Sequence, residues 1–241
     1  MISIIVPVLN EEKIIGETLR KLRAGLTSLE YELLVSDGHS TDRTVEIARQ
    51  YADQVLVHNG KTRQTIAQGR NVGGRAARGE FLVFLDADCS IPRAAEFLTH
   101  ALNRFNIDPK LTGLNAWLVV DPSLANHRDI FFSWLINIIY ATWNNILRLP
   151  VSGGEFQMMR KQTFLAIGGY REDLVCSEDY DLFRRLAKLG HVRMETKYEV
   201  WQTGRRARKV GWIRMISSWM INSVWYFFFK KSLAKEWTVV R

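Results

Sequence analysis

Phe81-Leu82-Val83-Phe84-Leu85-Asp86-Ala87-Asp88 is the stretch on which the reading of this chain turns. Five consecutive apolar residues are too few for a helix and suit a strand buried on both faces. The run stops on two carboxylates two residues apart. Extended residues i and i+2 point the same way, so both side chains can face one Mg2+ or Mn2+. A cation there would neutralise a diphosphate and stabilise it as a leaving group. A solvated turn, with aspartate capping a helix that begins near Pro92, is the competing reading.

Upstream, the pattern alternates. Residues 2–6 form a short apolar strand ending at Pro7. Asn10 is expected to cap a helix with Glu11 and Glu12 in its first turn and Ile14, Ile15, Leu19, Leu22 and Leu26 on one face. Residues 31–36 read as a second strand, and Ser40 or Thr41 as the start of a helix with Val45, Ala48 and Tyr51 inward. Residues 54–58 form a third strand and 63–78 a polar helix. Strand, helix, strand, helix in this order implies an α/β fold with a parallel sheet covered on both faces. Ligands on such sheets bind beyond the carboxyl ends of the strands, where Asp37, Asp86 and Asp88 all fall.

The chain has 241 residues, 47% of them hydrophobic and 24% charged, which fits one domain or a domain with an appendage. A net charge of +8 favours anionic partners: phosphorylated substrates, lipid headgroups or nucleic acid. Two cysteines, Cys89 and Cys176, form no disulfide framework and point to a reducing compartment. The first eight residues are too short and too little basic for a signal segment.

Three further stretches carry chemistry. Ser177 suits an N-cap for a helix reaching about Leu189, with Leu182, Phe183, Leu186 and Leu189 as its buried stripe. Asp179 lies three and four residues before Leu182 and Phe183, so it is expected on the inward face, with Glu178 off the stripe. Asp181 is expected outside, paired with Arg184 or Arg185. An inward carboxylate at a helix N-terminus reads equally as a cap or as a general base kept ionised by the helix dipole. Gly153-Gly154-Glu155-Phe156 lets backbone approach a ligand closely, or is simply a turn. Gln202-Thr203-Gly204-Arg205-Arg206, with Arg208 and Lys209, forms a basic cluster suited to a diphosphate, a lipid phosphate or headgroups, or else solvated.

These motifs resemble glycosyltransferase family 2. Ile4-Ile5-Val6-Pro7-Val8-Leu9-Asn10-Glu11-Glu12 is similar to the family's opening. Val35-Ser36-Asp37-Gly38-His39-Ser40-Thr41-Asp42, Arg70-Asn71 before Ala77-Arg78-Gly79-Glu80, and Phe84-Leu85-Asp86-Ala87-Asp88 follow in the family's order. Gly168-Gly169-Tyr170 and Ser177-Glu178-Asp179 resemble its acceptor-side motifs. The resemblance covers roughly residues 2–190 and implies a GT-A fold, Rossmann-like with a mostly parallel sheet, and inversion at the anomeric carbon. It implies that Asp37 contacts the nucleoside, Asp86 the ribose or metal, and Asp88 the metal. Pro7, Asn10, Glu11, Arg70, Gly153 and Gly154 are then donor-side residues, and Asp179 the base. Gln202-Thr203-Gly204-Arg205-Arg206 resembles the Q-x-x-R-W motif of cellulose synthase and its processive relatives. That likeness implies donor-diphosphate contacts for Gln202, Arg205 and Arg206, and places Arg208 with Glu178 on the acceptor side. Arg206 stands where the motif has Trp, which puts acceptor stacking and processive synthesis in doubt.

Two stretches carry no charge, residues 130–147 and 215–229. As helices they would be roughly 27 and 22 Å long, marginal for a membrane span. Trp134, Trp143, Trp212, Trp219 and Trp225 suit a bilayer interface, and Arg148, Lys230 and Lys231 can snorkel to phosphates. Asp86 and Asp88 precede the first stretch and Asp179 follows it. All three belong to one cleft, so that stretch lies in the interface or dips and returns.

The expected organisation is a catalytic domain over 1–200, with an interface helix inserted at 126–148. A basic motif and a membrane-associated helix occupy 201–241. The resemblance implies a small cellulose-synthase-like enzyme, similar to crenarchaeal mannosyltransferases of lipid-linked glycan assembly, on the cytoplasmic face of a membrane. Expected partners are a nucleoside-diphosphate sugar, GDP-mannose first, a hydroxyl of a lipid-linked saccharide, membrane lipid and Mg2+ or Mn2+, but no nucleic acid. The alternatives are a polyprenyl-phosphate sugar synthase, which needs no base, and a basic lipid- or nucleic-acid-binding module. Sugar nucleotidyltransferases open on a Gly-rich G-x-G-T-R loop that does not occur here.

Overall fold

The computed structural model describes residues 1–60 and 62–234. β1 (Ile2–Val8) leads into α1 (Ile15–Gly25), β2 (Tyr31–Asp37), α2 (Thr44–Ala48), β3 (Gln54–Val57), α3 (Ile66–Ala76) and β4 (Phe81–Leu85). Next come β5 (Cys89–Ser90), α4 (Ala94–Ile107), β6 (Leu111–Val120) and α5 (His127–Ala141), which runs on as a π-helix, Thr142–Leu147. β7 (Phe156–Arg160), α6 (Lys161–Ala166), α7 (Glu178–Leu186), β8 (His191–Gln202), α8 (Arg205–Val210) and α9 (Trp212–Phe229) complete the order.

The strands form one sheet in the order β3-β2-β1-β4-β7-β6-β8-β5. β3, β2, β1 and β4 are parallel, as the alternating strand–helix pattern requires. β7 runs antiparallel between β4 and β6, β8 lies parallel to β6, and β5 is antiparallel to β8, so the second half is mixed. β1 pairs with β4 only through Ile5, so Pro7, which has no N–H, sits where β1 has β2 alone as a neighbour.

The two-residue period of β4 divides the core. Phe81, Val83 and Leu85 join Leu19, Leu22, Phe97 and Phe105 of α1 and α4 on one face. Leu82 and Phe84 join Phe164, Leu182 and Phe183 of α6 and α7 on the other. α3 lies so close to the sheet that a Cβ on Gly73 would meet Ile5 Cγ2 at 2.3 Å. Its start is fixed by a capping box of Thr65 and Gln68 rather than by residue 63.

Two expected helix starts are wrong for one reason. Asn10 does not cap α1; its Oδ1 accepts from Thr41 N at 2.6 Å, and its own N–H donates to Ser40 Oγ at 2.7 Å. Asn10 thereby takes a positive φ of 51°, and α1 begins at Ile15. Ser40 and Thr41, spent on this clasp, do not start α2, which begins at Thr44. The clasp ties together the loops after β1 and β2. At the other end of the chain α7 stops at Leu186, and Leu189 is exposed rather than part of a stripe.

α5 is inside out. Its buried residues are Asp129, Ser133 and Asn137, four apart, and the Asn137 amide bonds both Leu118 N and Leu118 O. Ile130, Phe131, Trp134, Ile138 and Ile139 face outward. The helix with its π continuation, His127–Leu147, has a mean hydropathy of 1.2 and is long and apolar enough to cross a bilayer. α9 packs beside it, with Phe132 stacked on Trp212 at 5.5 Å and Trp212 Nε1 donating to Asp129. Trp212 is therefore buried, not an interfacial residue. The outer side of α9 exposes Ile213, Met220, Ile221, Val224 and Phe227 to Phe229. Of the expected C-terminal segment, residues 235–241 lie outside the described residues.

Candidate active site

The carboxyl ends of β1, β2 and β4 meet the start of β7, the start of α7 and the end of β8 around a cluster of charges. Asp86 and Asp88 follow β4 as expected. β5 pairs Cys89 with Gln202, so Gln202 brings the basic segment opposite Asp88. Thr203 Oγ1 donates to Asp88 Oδ2 at 2.9 Å, and Arg205 Nε approaches the same oxygen at 3.1 Å. The two terminal nitrogens of Arg205 grip both oxygens of Glu11, at 2.7 and 2.8 Å. Glu11 is so held at the end of β1, facing Asp88 across one guanidinium.

Arg70, expected at the donor, is 1% exposed and spent inside the protein. It donates to Asp86 Oδ1 at 2.9 Å, Gly154 O at 2.9 Å and Glu178 Oε1 at 3.1 Å, over the ring of Tyr170. A Cβ on Gly154 would lie 2.6 Å from that guanidinium, so the glycine is required for the arginine's approach. On Gly153 a Cβ would meet the neighbouring Glu155 carboxylate.

The two acidic residues of α7 occupy the reverse of their expected positions. Glu178 is buried against Arg70, while Asp179 is half-buried and its Oδ1 accepts the local N–H of Tyr180 at 2.7 Å. Ser177 precedes the helix in the left-handed region, without a side-chain cap, and the buried face runs through Glu178, Asp181, Leu182 and Leu186. Asp181, expected in solvent, is 2% exposed. It pairs with Arg185 at 2.6 Å and accepts the hydroxyl of Tyr226 from α9.

Glu155, which joined the glycine motif without a role, adjoins Asp86 and accepts the Asp86 N–H on its own carbonyl at 3.1 Å. Burial and the repulsion of Asp86, Asp179 and Asp88 push its carboxyl up to about 8. Burial and Asp179 push Glu178 up to about 7 against the pull of Arg70. Burial likewise raises Asp179 and Asp86, with Arg70 opposing in both. Burial lowers the Arg206 guanidinium, with the fields of Glu155 and Asp88 opposing. Carboxyls that raise one another in this way form a trap for positive charge.

A divalent cation fits Asp86 and Asp88 by donor chemistry, since both are hard oxygen ligands and their neighbours need a counter-charge. Among the described residues no group of three or more His, Cys, Asp or Glu side chains could hold a metal. Two carboxylates would therefore share the ion with substrate phosphates, an arrangement that suits Mg2+.

Asp37 is fully buried. Its Oδ2 accepts His39 N at 3.1 Å and Ser40 N at 3.0 Å, while Oδ1 has no partner among the described residues. Ser36 Oγ and Gln64 Oε1, which the motifs did not mark, are likewise buried without one. Arg208 does not join the cluster; it donates to Leu124 O at 2.9 Å and lies 3.6 Å from Asp129, holding α8 to the base of α5.

Comparison with known proteins gives this geometry a context. The family described as "Glycosyl transferase family 2" matches residues 3–166. An uncharacterized glycosyltransferase of Haemophilus influenzae is 29% identical over 77% of this chain and 62% of its own length. Succinoglycan biosynthesis protein ExoA of Rhizobium meliloti is 29% identical over 84% of this chain and 60% of its own. The chain thus spans about three fifths of these relatives. Among solved structures, a mannosyltransferase of Pyrobaculum calidifontis in complex with GDP-Man and Mn2+ has a TM-score of 0.67 at 21% identity, over 91% of this chain and 64% of that one. TarS of Staphylococcus aureus has a TM-score of 0.63 at 21% identity, over 92% of this chain and 40% of that one. The fold is accordingly GT-A.

Proposed function

The chain belongs to glycosyl transferase family 2, and from that premise we propose that it transfers a hexose, with inversion, from a nucleoside-diphosphate sugar to a hydroxyl of a lipid-linked saccharide. The observation that carries this reading is that Asp88, at the end of β4, meets Arg205 of the basic segment, while Arg70 ties Asp86 to the start of α7, where Asp179 is half-buried.

Asp86 and Asp88 would hold Mg2+ or Mn2+, which supplies charge neutralisation of the leaving diphosphate. Arg205 and Arg206 bind the diphosphate oxygens, a task for which the guanidinium fork is suited. Asp37, with one buried oxygen that has no partner among the described residues, accepts an N–H of the nucleoside. Asp179 takes the proton of the acceptor hydroxyl as its oxygen bonds to the anomeric carbon. The bond from that carbon to the diphosphate breaks, and the nucleoside diphosphate leaves with the electron pair. Attack opposite the leaving group inverts the centre. Glu178 and Arg70 do not touch substrate; they fix Asp86 and the start of α7 relative to each other.

The acceptor is held at a membrane surface. The support is the inside-out α5, whose polar residues face the protein and whose aromatic residues face away, together with the exposed side of α9. No acidic residue occurs in residues 130–147 or 212–234, and Arg148, Arg214, Lys230 and Lys231 lie among or beside the apolar residues. An anionic bilayer meets both properties. Free, buried Cys89 and Cys176 suit the cytoplasmic side. The test is a panel of UDP- and GDP-sugars with Mn2+, read by hydrolysis, with GDP-mannose expected to be turned over. Turnover of a UDP-sugar instead corrects the donor, and turnover of none overturns the reading.

A further inference from the structure

α9 has two sides with different tasks. Ile221, Val224 and Phe228, spaced three and four apart, are 57%, 56% and 71% exposed. Asn222 and Tyr226, four apart, point the other way, into the segment that leads to Asp179. Asn222 Oδ1 accepts the thiol of Cys176 at 3.1 Å. Tyr226 is buried, donates its hydroxyl to Asp181 and stands edge-on to Tyr180 at 5.8 Å. Just past the helix, Ser232 Oγ accepts from Val175 N at 2.9 Å and Cys176 N at 3.2 Å, and donates to Cys176 O at 2.9 Å. Arg184 lies over the ring of Phe227 at 4.9 Å.

These contacts fall on one stretch, residues 175–184, and bracket Glu178 and Asp179. Arg70 holds the stretch at Glu178 and the core holds it at Leu182 and Phe183, while its lead-in, residues 175 and 176, is bonded to Ser232 and Asn222. Ser177 sits at φ 65° with no side-chain cap, a conformation that costs a non-glycine residue energy and persists only where surroundings impose it. Here those surroundings are Arg70 at Glu178 on one side, and α9 with the serine that follows it at residues 175 and 176 on the other.

We propose that Asn222, Tyr226 and Ser232 are positioning residues for transfer, and that docking the outer face of α9 on an anionic lipid surface orders residues 175–181 and raises turnover. This inference rests on the membrane reading above and adds to it a consequence for the site. An apolar helix face anchored in the interface gives α9 a fixed orientation, and its inner edge passes that order to Asp179 through three side chains. A base displaced by about 1 Å loses up to about a hundredfold in rate, so even modest ordering registers in kcat.

The test compares the chain, Tyr226→Phe and Ser232→Ala with and without vesicles of phosphatidylcholine and phosphatidylglycerol. Cosedimentation reads lipid binding, hydrogen exchange reads the amides of 175–181, and hydrolysis of the donor that the panel identifies reads turnover. For the unaltered chain, vesicles are expected to slow exchange at 175–181 and raise kcat about tenfold with donor KM unchanged. Tyr226→Phe keeps the ring, so it retains lipid binding and loses both responses; Ser232→Ala does the same should the first variant fold poorly. A purely structural tyrosine would leave both responses intact in Tyr226→Phe. Failure to cosediment sinks the membrane reading and this one with it. Cosedimentation with unchanged exchange overturns this inference alone, even if no donor is turned over.

Discussion

Replacing Arg70 with leucine removes a cation that contacts both Asp86 and Glu178. Arg70 is 1% exposed and makes three hydrogen bonds of 2.9 to 3.1 Å to two carboxylates and a carbonyl. Leucine fills much of the volume of the side chain stem but leaves all three acceptors without that donor. Breaking a buried ion pair by removing one partner costs about 3–5 kcal/mol. The carboxyls recover part of this by taking up protons, since Glu178 already lies near 7 with the arginine in place. A net loss of about 3 kcal/mol is therefore expected at neutral pH, lowering Tm by roughly 6–12 °C for a domain of this size. Arg70→Lys should fall between, because an ammonium has no planar fork to span both carboxylates. Urea unfolding followed by tryptophan fluorescence measures the difference. Arg70→Leu within about 1 kcal/mol of the parent would refute the view that this guanidinium holds the two sides of the site together.

Two other perturbations separate site from scaffold. Asp88→Asn keeps the hydrogen bond from Thr203 but removes a charged metal ligand, so Mn2+-dependent nucleotide affinity in calorimetry should drop at least about tenfold with Tm unchanged; equal affinity would remove Asp88 from the metal site. Ile221→Ser with Val224→Ser and Phe228→Ser should release the chain from anionic vesicles at constant Tm, while Trp212→Ser, on the buried side, should cost about 3–5 kcal/mol of stability. If instead the exposed triple variant melts early and still binds vesicles, those residues are packed and the lipid face lies elsewhere.

The first four strands were legible because an apolar run such as 81–85 reads the same whatever it packs against. β6, β7 and β8, which mix polar and apolar residues in the antiparallel and mixed half of the sheet, were not read. The candidate site was legible where chemistry is local, as at Asp86 and Asp88, and less so where partners are remote. Arg70 finds its partners 16, 84 and 108 residues away, and no spacing rule reveals that it is buried beneath the site. Asp181 looked like a surface ion pair because its hydroxyl partner, Tyr226, lies 45 residues on. Asn10 had a good capping sequence, yet the donor that captured it was the N–H of Thr41 in another loop. Glu178 and Asp179 were exchanged because helical phase, extrapolated back from Phe183, slipped at a first turn entered from a left-handed residue. Glu155 gave no signal beyond its two glycines, and the two-residue pairing of β5 with β8 was too short to read.

The central claim is that a carboxylate prepares an acceptor hydroxyl, and Asp179→Asn tests it most directly. Asparagine is nearly the same shape, and its oxygen can still accept from Tyr180 N, so the helix start is preserved. A sugar hydroxyl must lose its proton as the new bond forms, and a positioned base contributes about 10²–10⁴-fold, whereas a lipid phosphate acceptor is already anionic. The measurement is the steady-state rate of sugar transfer to a lipid-linked saccharide, with donor KM determined in parallel. The expected result is a fall in kcat of at least about a hundredfold with donor KM nearly unchanged, because the lost interaction belongs to the transition state. Transfer at close to the parent rate would contradict the account and favour synthesis of a polyprenyl-phosphate sugar.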